Sequence, residues 1–395
     1  MSAHPLKGIT VVEFTHMIMG PSVGLILADL GAEVIKVEPI GGDKTRRLKG
    51  AGAGYFPMFN RNKKSVCIDI KSKKGAALAK DLIAKADIFI ENMRPGALDK
   101  LGFGYGDLSS DHPGLIYCSE KGFLSGPYEN RTALDEIAQM MGGLAYMTGP
   151  PGRPLRAGSS VVDITGGMFG AIAILSALYE RNQTGIGAHV KASLYETTVF
   201  LVGQHMAQKS VTGVAANPMP ARISAWAIYD VFQAADDEKV FVGVVSDTQW
   251  PIFCETFDFK DWLNDETLTE NAARVDRRDE IIPQVQAAFA KIPKEVLMQK
   301  LEDAGLPFAP ITRPQDLFDD PHLNQSNGLI DLSLPDGTKT KLPALPVEFN
   351  GDRPQRAESP APTGANTVDV LSRLSLQPDD IQALIDEKII VANDK

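Results

Sequence analysis

Apolar residues over the first 120 positions come in short unbroken runs, separated by stretches of helical spacing. The runs at 8–14, 33–37, 65–70, 87–91 and 115–119 read as strands buried on both faces. Between them, 22–30 (stopped by Gly31) and 75–86 carry apolar positions at helical intervals. Strand, helix, strand in this rhythm predicts parallel βαβ units and an α/β domain. Two helices follow, over 134–146 and 165–181. The second is apolar on every side over 171–178, which predicts a core helix. It ends at the stop signal Gln183-Thr184-Gly185-Ile186-Gly187, and 189–194 reads as one more strand.

Gly213, Asn217, Pro218 and Pro220 break any regular element over 205–225, which predicts a connector. A new module begins beyond it. Strands at 226–232 and 240–245 flank a turn at Ala235-Asp236-Asp237-Glu238. Helices at 248–256, 277–291 and 294–304 follow, with 306–311 as an extended exit. Pro335-Asp336-Gly337 predicts a hairpin within 320–350. The proline-rich stretch 351–366 is irregular, and an amphipathic helix covers 378–387.

A chain of 395 residues is long enough for two domains. Its 44% hydrophobic and 23% charged content is that of a soluble globular protein. No stretch approaches the roughly 20 charge-free apolar residues of a membrane span, and residues 1–8 have no signal-peptide core. Cys67, Cys118 and Cys254 are far apart and match no zinc or CxxC pattern, so we expect free thiols in a reducing cytoplasm. His112, His189, His205 and His322 form no metal spacing either. A net charge of −10 argues against nucleic acid as a partner. Basic residues nevertheless cluster in the first hundred positions (Arg46, Arg47 and Lys49; Arg61, Lys63 and Lys64; Lys71, Lys73 and Lys74; Arg94 and Lys100). Such clusters in an acidic protein suit a small anionic ligand, although any one of these lysines taken alone is ordinary surface charge.

Asp163 is the residue with the most unusual setting. It stands between Val162 and Ile164, ahead of Gly166-Gly167 and a long apolar helix. An N-cap aspartate accounts for it without any ligand. A carboxylate nucleophile accounts for it too, since two glycines allow backbone or ligand to come close. A helix N-terminus also favours the anion. The backbone amides just after it are candidate oxyanion donors. A dinucleotide fold is the rival for the first βαβ unit. Gly20, Gly24 and Gly31 lack the G-x-G-x-x-G spacing, and His16 and Pro21 occupy the turn, although Glu38 ends the second strand.

Several segments then read together. They are 6–16 with His16, Gly20-Pro21, 27–38, Asn60-Arg61-Asn62-Lys63-Lys64-Ser65, Glu91-Asn92-Met93-Arg94-Pro95-Gly96, Gly122-Phe123-Leu124-Ser125-Gly126-Pro127, Asp163, Thr184-Gly185-Ile186-Gly187, Ala304-Gly305-Leu306-Pro307 and Asp320-Pro321. In this order and spacing the chain closely resembles the family III coenzyme A transferases, the group of formyl-CoA transferase and carnitine CoA-transferase. The resemblance covers nearly the whole length. It implies a large Rossmann-like domain with a parallel sheet, built from 1–205 and 330–395. A smaller α+β domain over 225–325 is inserted, with linkers near 206–224 and 326–350. It implies an interlocked homodimer and a transferase that moves CoA from an acyl-CoA donor such as succinyl-CoA to an organic acid such as a dicarboxylate. No metal is implied.

Residue by residue, the resemblance implies that Asp163 attacks the acyl-CoA thioester and carries the covalent intermediate. A covalent aspartyl intermediate splits a difficult transfer into easier steps. Contacts to CoA are implied for Ile18, Met19, Ile68, Lys71, Asn92, Met93, Arg94, Lys100, Thr132 and Asp135. His16 is implied near the substrate. Pro39 stands where some members carry an arginine, which leaves Arg46 or Arg47 as substitutes. No glycine run lies between 211 and 240, which argues against formyl or oxalate specificity. Arg222, in the segment that replaces it, could bind a distal carboxylate. The α-methylacyl-CoA racemases of the same family pair the aspartate with a histidine. Leu134 holds that position here and cannot transfer a proton, so the racemase is the disfavoured alternative.

Overall fold

Val11, Val12 and Phe14 are buried on alternate faces of β1 (Thr10–Phe14), as a central parallel strand requires. β2 (Glu33–Glu38) pairs with it on one side, and β3 (Lys63–Ile68) lies beyond β2. β4 (Ile88–Glu91), β5 (Ile116–Lys121) and β6 (His189–Ser193) extend the sheet on the other side, all parallel. The strand order β3-β2-β1-β4-β5-β6 is the Rossmann order, with its topological switch between β1 and β4. The short β12 (Ile390–Val391) adds antiparallel to β3. The computed structural model describes residues 4–222 and 224–393. They fall into two units, Met1–Pro220 with Pro321–Lys395, and Ala221–Asp320.

One face of the sheet packs Phe14, Phe89, Phe103, Tyr117, Leu78 and Leu82. The Phe14 ring meets Phe89 and Phe103 edge-on, at 4.9 and 5.4 Å between centroids. The other face packs Val11, Val23, Leu27, Ile90, Ile174 and Leu178. Each such side chain fully buried contributes roughly 1.5–3 kcal/mol.

The helix predicted over 165–181 starts earlier, at Val161, and runs to Thr184, where Gly185 takes the left-handed conformation (φ 73°) that ends it. It crosses the helix Met19–Asp29 at close range. A Cβ on Gly167 would lie 2.7 Å from Ser22 Cβ and 2.8 Å from the Met19 carbonyl oxygen. One on Gly170 would lie 2.0 Å from Glu120 Oε1. The glycines after Asp163 therefore admit another helix, not a ligand. The expectation of a helix apolar all round and wholly in the core is corrected. Ile172 and Tyr179 are exposed, Tyr179 to 71%. By length and composition this helix is long and apolar enough to cross a membrane, although Asp163, Glu180 and Arg181 keep its charge-free run short of the roughly 20 residues considered above. Its other face is packed inside the first unit.

Two further corrections concern helices. The segment expected as one helix over 134–146 is two, Asp135–Met141 and Leu144–Thr148. Gly143, at φ 86°, breaks them. The helix Leu194–Thr212 was not expected and takes up the start of the presumed connector.

The last turn of Met19–Asp29 is fixed by a buried ion pair. Arg61 Nη1 and Nη2 each donate to Asp29 at 2.6 Å, and both side chains are almost wholly buried. Asn62 Nδ2 adds a third bond at 2.7 Å. Arg61 also donates to the Pro343 carbonyl, and Asn62 to that of Arg356. The returning chain is thereby fastened to the first βαβ unit. The hairpin at 335–337 is present, between β10 (Leu329–Ser333) and β11 (Lys339–Pro343).

In the second unit, β7 (Ile228–Gln233), β8 (Lys239–Val244) and β9 (Phe308–Pro310) form an antiparallel sheet. Helices Gln249–Thr256, Arg278–Phe289 and Lys294–Asp303 accompany it. Phe253, Phe289, Leu297 and Leu301 are fully buried in its core, and Trp250 stacks on Trp262. The three cysteines are free and buried.

Candidate active site

In an open sheet of this order, the crevice lies outside the carboxyl ends of the strands that flank the switch. The turn after β1 and the loop after β4 meet there. Asn92 Oδ1 accepts from the His16 N–H at 3.0 Å, and Asn92 Nδ2 donates to the His16 carbonyl at 2.9 Å. One side-chain amide thus holds the turn. Lys36 Nζ donates to the Thr15 carbonyl at 2.6 Å, and Thr45 Oγ1 accepts from the Met17 N–H. These bonds hold Met17 in the left-handed region, at φ 62°. Such a conformation is costly and persists only when surrounding structure enforces it.

Beneath the turn, charges replace apolar residues at the strand ends. Lys63 Nζ binds Glu13 at 2.9 Å, and Lys36 lies 3.1 Å from Asp43. Burial pushes the Lys63 ammonium down to about 8, against the pull of Glu13. His16 is held below its usual range by desolvation, against the pull of Asp43.

A cleft of about 270 Å³ opens over this base. His16, Ile18, Met19, Asn92, Asp135 and Asp163, all selected from sequence, line it. Asp163 sits in the first turn of its helix, not at the cap. Ser160 is the N-cap position and makes no side-chain cap. The capping carboxylate comes from elsewhere. Asp135 Oδ2 accepts from the N–H groups of Val162 and Asp163, at 3.0 and 3.1 Å. Gln139 Nε2 donates to Asp135 Oδ1 at 2.6 Å, while Gln139 Oε1 accepts from the Ala157 N–H at 2.8 Å.

This arrangement has an electrostatic consequence. The helix-end donors are spent on Asp135, and the Asp163 carboxylate accepts no hydrogen bond among the described residues. Desolvation and the neighbouring Asp135 charge push Asp163 up to about 7, while Arg156 pulls the other way. The expectation that the helix end would favour its anion is corrected. So is the expectation of oxyanion donors just after it. The Asp163 N–H goes to Asp135, and the Ile164 N–H to the Ser160 carbonyl.

The other selected residues lie outside the lining of this cleft. Ile68 is fully buried at the end of β3. Lys71 follows β3, and Arg94 and Lys100 follow β4; all three are exposed on the crevice side of the sheet. Met93 packs against the main core, and Thr132 is exposed. Arg222 belongs to the second unit, and its neighbour Ile223 is outside the described residues. Arg46 is not free to replace a missing cation. It forms a two-pronged pair with Glu38 at 2.6 and 2.7 Å and stacks on Phe56. Arg47 is exposed and donates to the Gly41 carbonyl.

Among the cleft residues that were not anticipated, two bear directly on its charge. Glu120 is buried at the end of β5, and its Oε2 has no partner among the described residues. Burial pushes its carboxyl up to about 8, so it is mostly protonated at pH 7. The visible signal was an acid at the carboxyl end of a predicted parallel strand, but 115–119 stopped one residue short of it. Arg156 lines the cleft opposite Asp135, 3.4 Å from Asp135 Oδ1. Its signal was a cation just ahead of Asp163 in sequence. No group of three or more metal-ligating side chains occurs among the described residues.

Comparison with known proteins follows the same outline. Residues 6–367 match the model of CoA-transferase family III. A succinyl-CoA:glutarate CoA-transferase from Mus musculus is 31% identical over 380 residues, covering 94% of this chain and 87% of that protein. An acetyl-CoA:oxalate CoA-transferase from Acetobacter aceti is 34% identical over 354 residues, 88% of this chain and 90% of that protein. A CAIB/BAIF family protein from Brucella suis has a solved structure similar to this one, with a TM-score of 0.83 at 30% identity. The match covers 95% of this chain and 100% of that one.

Proposed function

The chain belongs to CoA-transferase family III and is a transferase enzyme; from that premise we propose that it moves coenzyme A from succinyl-CoA to a small dicarboxylic acid through a covalent intermediate on Asp163. The observation that carries this reading is the state of two neighbouring carboxylates. Asp135 is tied down by Val162, Asp163 and Gln139, whereas Asp163 faces the cleft and accepts no hydrogen bond among the described residues. An unencumbered carboxylate in a partly desolvated cleft is a better nucleophile than one already solvated or bonded.

The steps balance without a further reagent. An Asp163 oxygen adds to the thioester carbonyl, the C–S bond breaks, and CoA leaves as thiolate. The thiolate attacks the Asp163 side of the resulting anhydride and frees the donor acid as its carboxylate. The acceptor carboxylate then adds to the aspartyl thioester and expels the thiolate again. Attack of that thiolate on the acceptor carbonyl returns Asp163 as a carboxylate. Both relatives described above are named for dicarboxylic acceptors, glutarate and oxalate. Exposed Lys71, Arg94 and Lys100, on the crevice side of the sheet, suit the CoA phosphates. Racemisation needs a proton-transfer pair across the substrate. Leu134, 60% exposed at the cleft, offers only hydrocarbon.

Incubation with succinyl-CoA and a panel of acids, followed by mass spectrometry of the CoA esters, tests the reading. The expected result is a new CoA ester of a dicarboxylic acid. Epimerisation of a 2-methylacyl-CoA with no exchange to any acid would overturn it.

The working unit proposed is a homodimer. Ile172, Tyr179, Phe200, Met206 and Val211 project from the helices Val161–Thr184 and Leu194–Thr212, with Phe200 72% exposed. Apolar surface on this scale marks an interaction site. Light scattering at micromolar concentration should give twice the chain mass of 42.7 kDa. A monomer at every concentration sinks the proposal.

A further inference from the structure

An acceptor acid must bring a carboxylate up to Asp163, and the cleft is poorly disposed to receive it. Asp135, Glu136 and, once ionised, Asp163 line it as anions. Like charges brought this close repel, and a desolvated cleft strengthens the repulsion. Some cation has to offset it.

The lining offers two charged candidates, Lys121 and Arg156. Lys121 is already committed. Its ammonium binds both oxygens of Glu91, at 2.6 and 2.8 Å, and the Met93 carbonyl at 2.9 Å. That accounts for its three N–H donors. Desolvation holds His16 below its usual range and disfavours its cationic form.

Arg156 differs in each respect. Its Nε donates to the Ala157 carbonyl and its Nη2 to that of Ser159, both at a long 3.2 Å. Nη1 makes no hydrogen bond among the described residues. The side chain is 34% exposed, so a solute can reach it. Its loop is pinned through Ala157 to Gln139, the side chain that also holds Asp135. The guanidinium therefore presents Nη1 from a fixed mount, on an edge whose other nitrogen, Nη2, is held only by long contacts to Ser159 and, at 3.4 Å, to Asp135; such an edge matches a carboxylate in a two-pronged pair.

We propose that Arg156 binds the reacting carboxylate of the acid substrate and holds it beside Asp163. This rests on the transferase reading above. The leaving donor acid and the entering acceptor acid occupy the same position in turn, so one guanidinium serves both. Arg156 acts on the carboxylate that reacts, not on a distant one. One-carboxylate and two-carboxylate acids therefore depend on it alike.

The test uses the full chain with Arg156→Gln and Arg156→Lys. For Arg156→Gln, the acceptor KM should rise about 10–100-fold, the range for loss of a charge-assisted pair. The KM for acyl-CoA should stay within about 2-fold, since the nucleotide end binds elsewhere. Inhibition by the free donor acid should weaken by the same factor as acceptor binding. Arg156→Lys should fall between, keeping the charge and losing the fork. A far-UV circular-dichroism spectrum and a melting temperature matching the wild type show that each variant is folded.

An acceptor KM unchanged in Arg156→Gln overturns the inference. So does an equal rise in both KM values, which would make Arg156 a general structural support. A loss confined to dicarboxylic acids overturns it as well, because it would place Arg156 on the far carboxylate. These outcomes leave the transferase reading standing. If the wild-type protein forms no CoA adduct and exchanges with no acid, that reading fails first and Arg156 falls with it.

Discussion

Asp163→Asn is expected to stop CoA exchange and, in the same protein, to raise stability above pH 7. The first effect follows from removing the proposed attacking group. An amide oxygen cannot form the anhydride, and loss of a nucleophile of this kind costs about a thousandfold or more in rate. The second follows from the site's electrostatics. Desolvation and Asp135 push the Asp163 carboxyl up to about 7 in the folded protein, from an ordinary value of 3.8. The folded state therefore holds this proton more tightly than the unfolded chain does. Below the ordinary value both states are protonated and the group costs nothing. As pH rises the unfolded chain ionises first, and stability falls until the folded carboxyl ionises too, near 7. Above that the penalty is constant, on the order of 2–4 kcal/mol for a shift of this size in a partly buried group. Asparagine removes it. Melting curves of both proteins from pH 4 to 9 should coincide at the acid end and separate by several degrees at the alkaline end. Parallel curves throughout would show that Asp163 is not under strain. The wild-type kcat/KM for acyl-CoA should also rise with pH through about 7, as the Asp163 carboxyl of the free enzyme ionises.

Arg61→Met should cost more stability than any other single change considered. It would leave Asp29 as an uncompensated carboxylate with almost no exposure, and would free the Pro343 carbonyl as well. Breaking one partner of a buried pair costs about 3–5 kcal/mol. Replacing both partners with apolar residues of similar size, Asp29→Leu with Arg61→Met, should recover most of that, since no buried charge remains. Urea denaturation of the single and double variants measures both effects. A single-variant loss under about 1 kcal/mol would mean that water or a neighbour takes over the guanidinium's role.

The strands of the first unit were legible because both faces of a central parallel strand are buried. Val11, Val12, Ile88 and Ile90 then read as unbroken apolar runs. Their lateral order was not, because β1 pairs with β2 on one side and, on the other, with β4, whose residues lie 77 positions further along the chain. Helix boundaries suffered where tertiary contacts decide. Gly142 admits Thr198, whose methyl would lie 2.4 Å from a Cβ there, and no local pattern announces that helix 194–212 runs alongside. That helix itself went unread. Phe200, Met206 and Val211 are exposed, so its apolar positions mark no single buried face. Asp163 was legible as an anomaly and through the family's ordered segments. Its cap was not, because Asp135 lies 28 residues earlier in the chain. Arg156 and Glu120 were missed for a related reason. Each becomes a cleft residue only when the loop before Asp163 and the end of β5 come together.

The glycines of the Val161–Thr184 helix have a consequence for engineering. The position of Asp163 depends on side chains that are absent at 167 and 170, where any Cβ would displace the neighbouring helix or Glu120. A library meant to widen the range of acids accepted should leave those two positions alone. Leu134 and Glu136 face the same cleft and are exposed. Diversity placed there would reshape the entrance while the register of the two crossing helices, and with it the aim of the carboxylate, stays as it is.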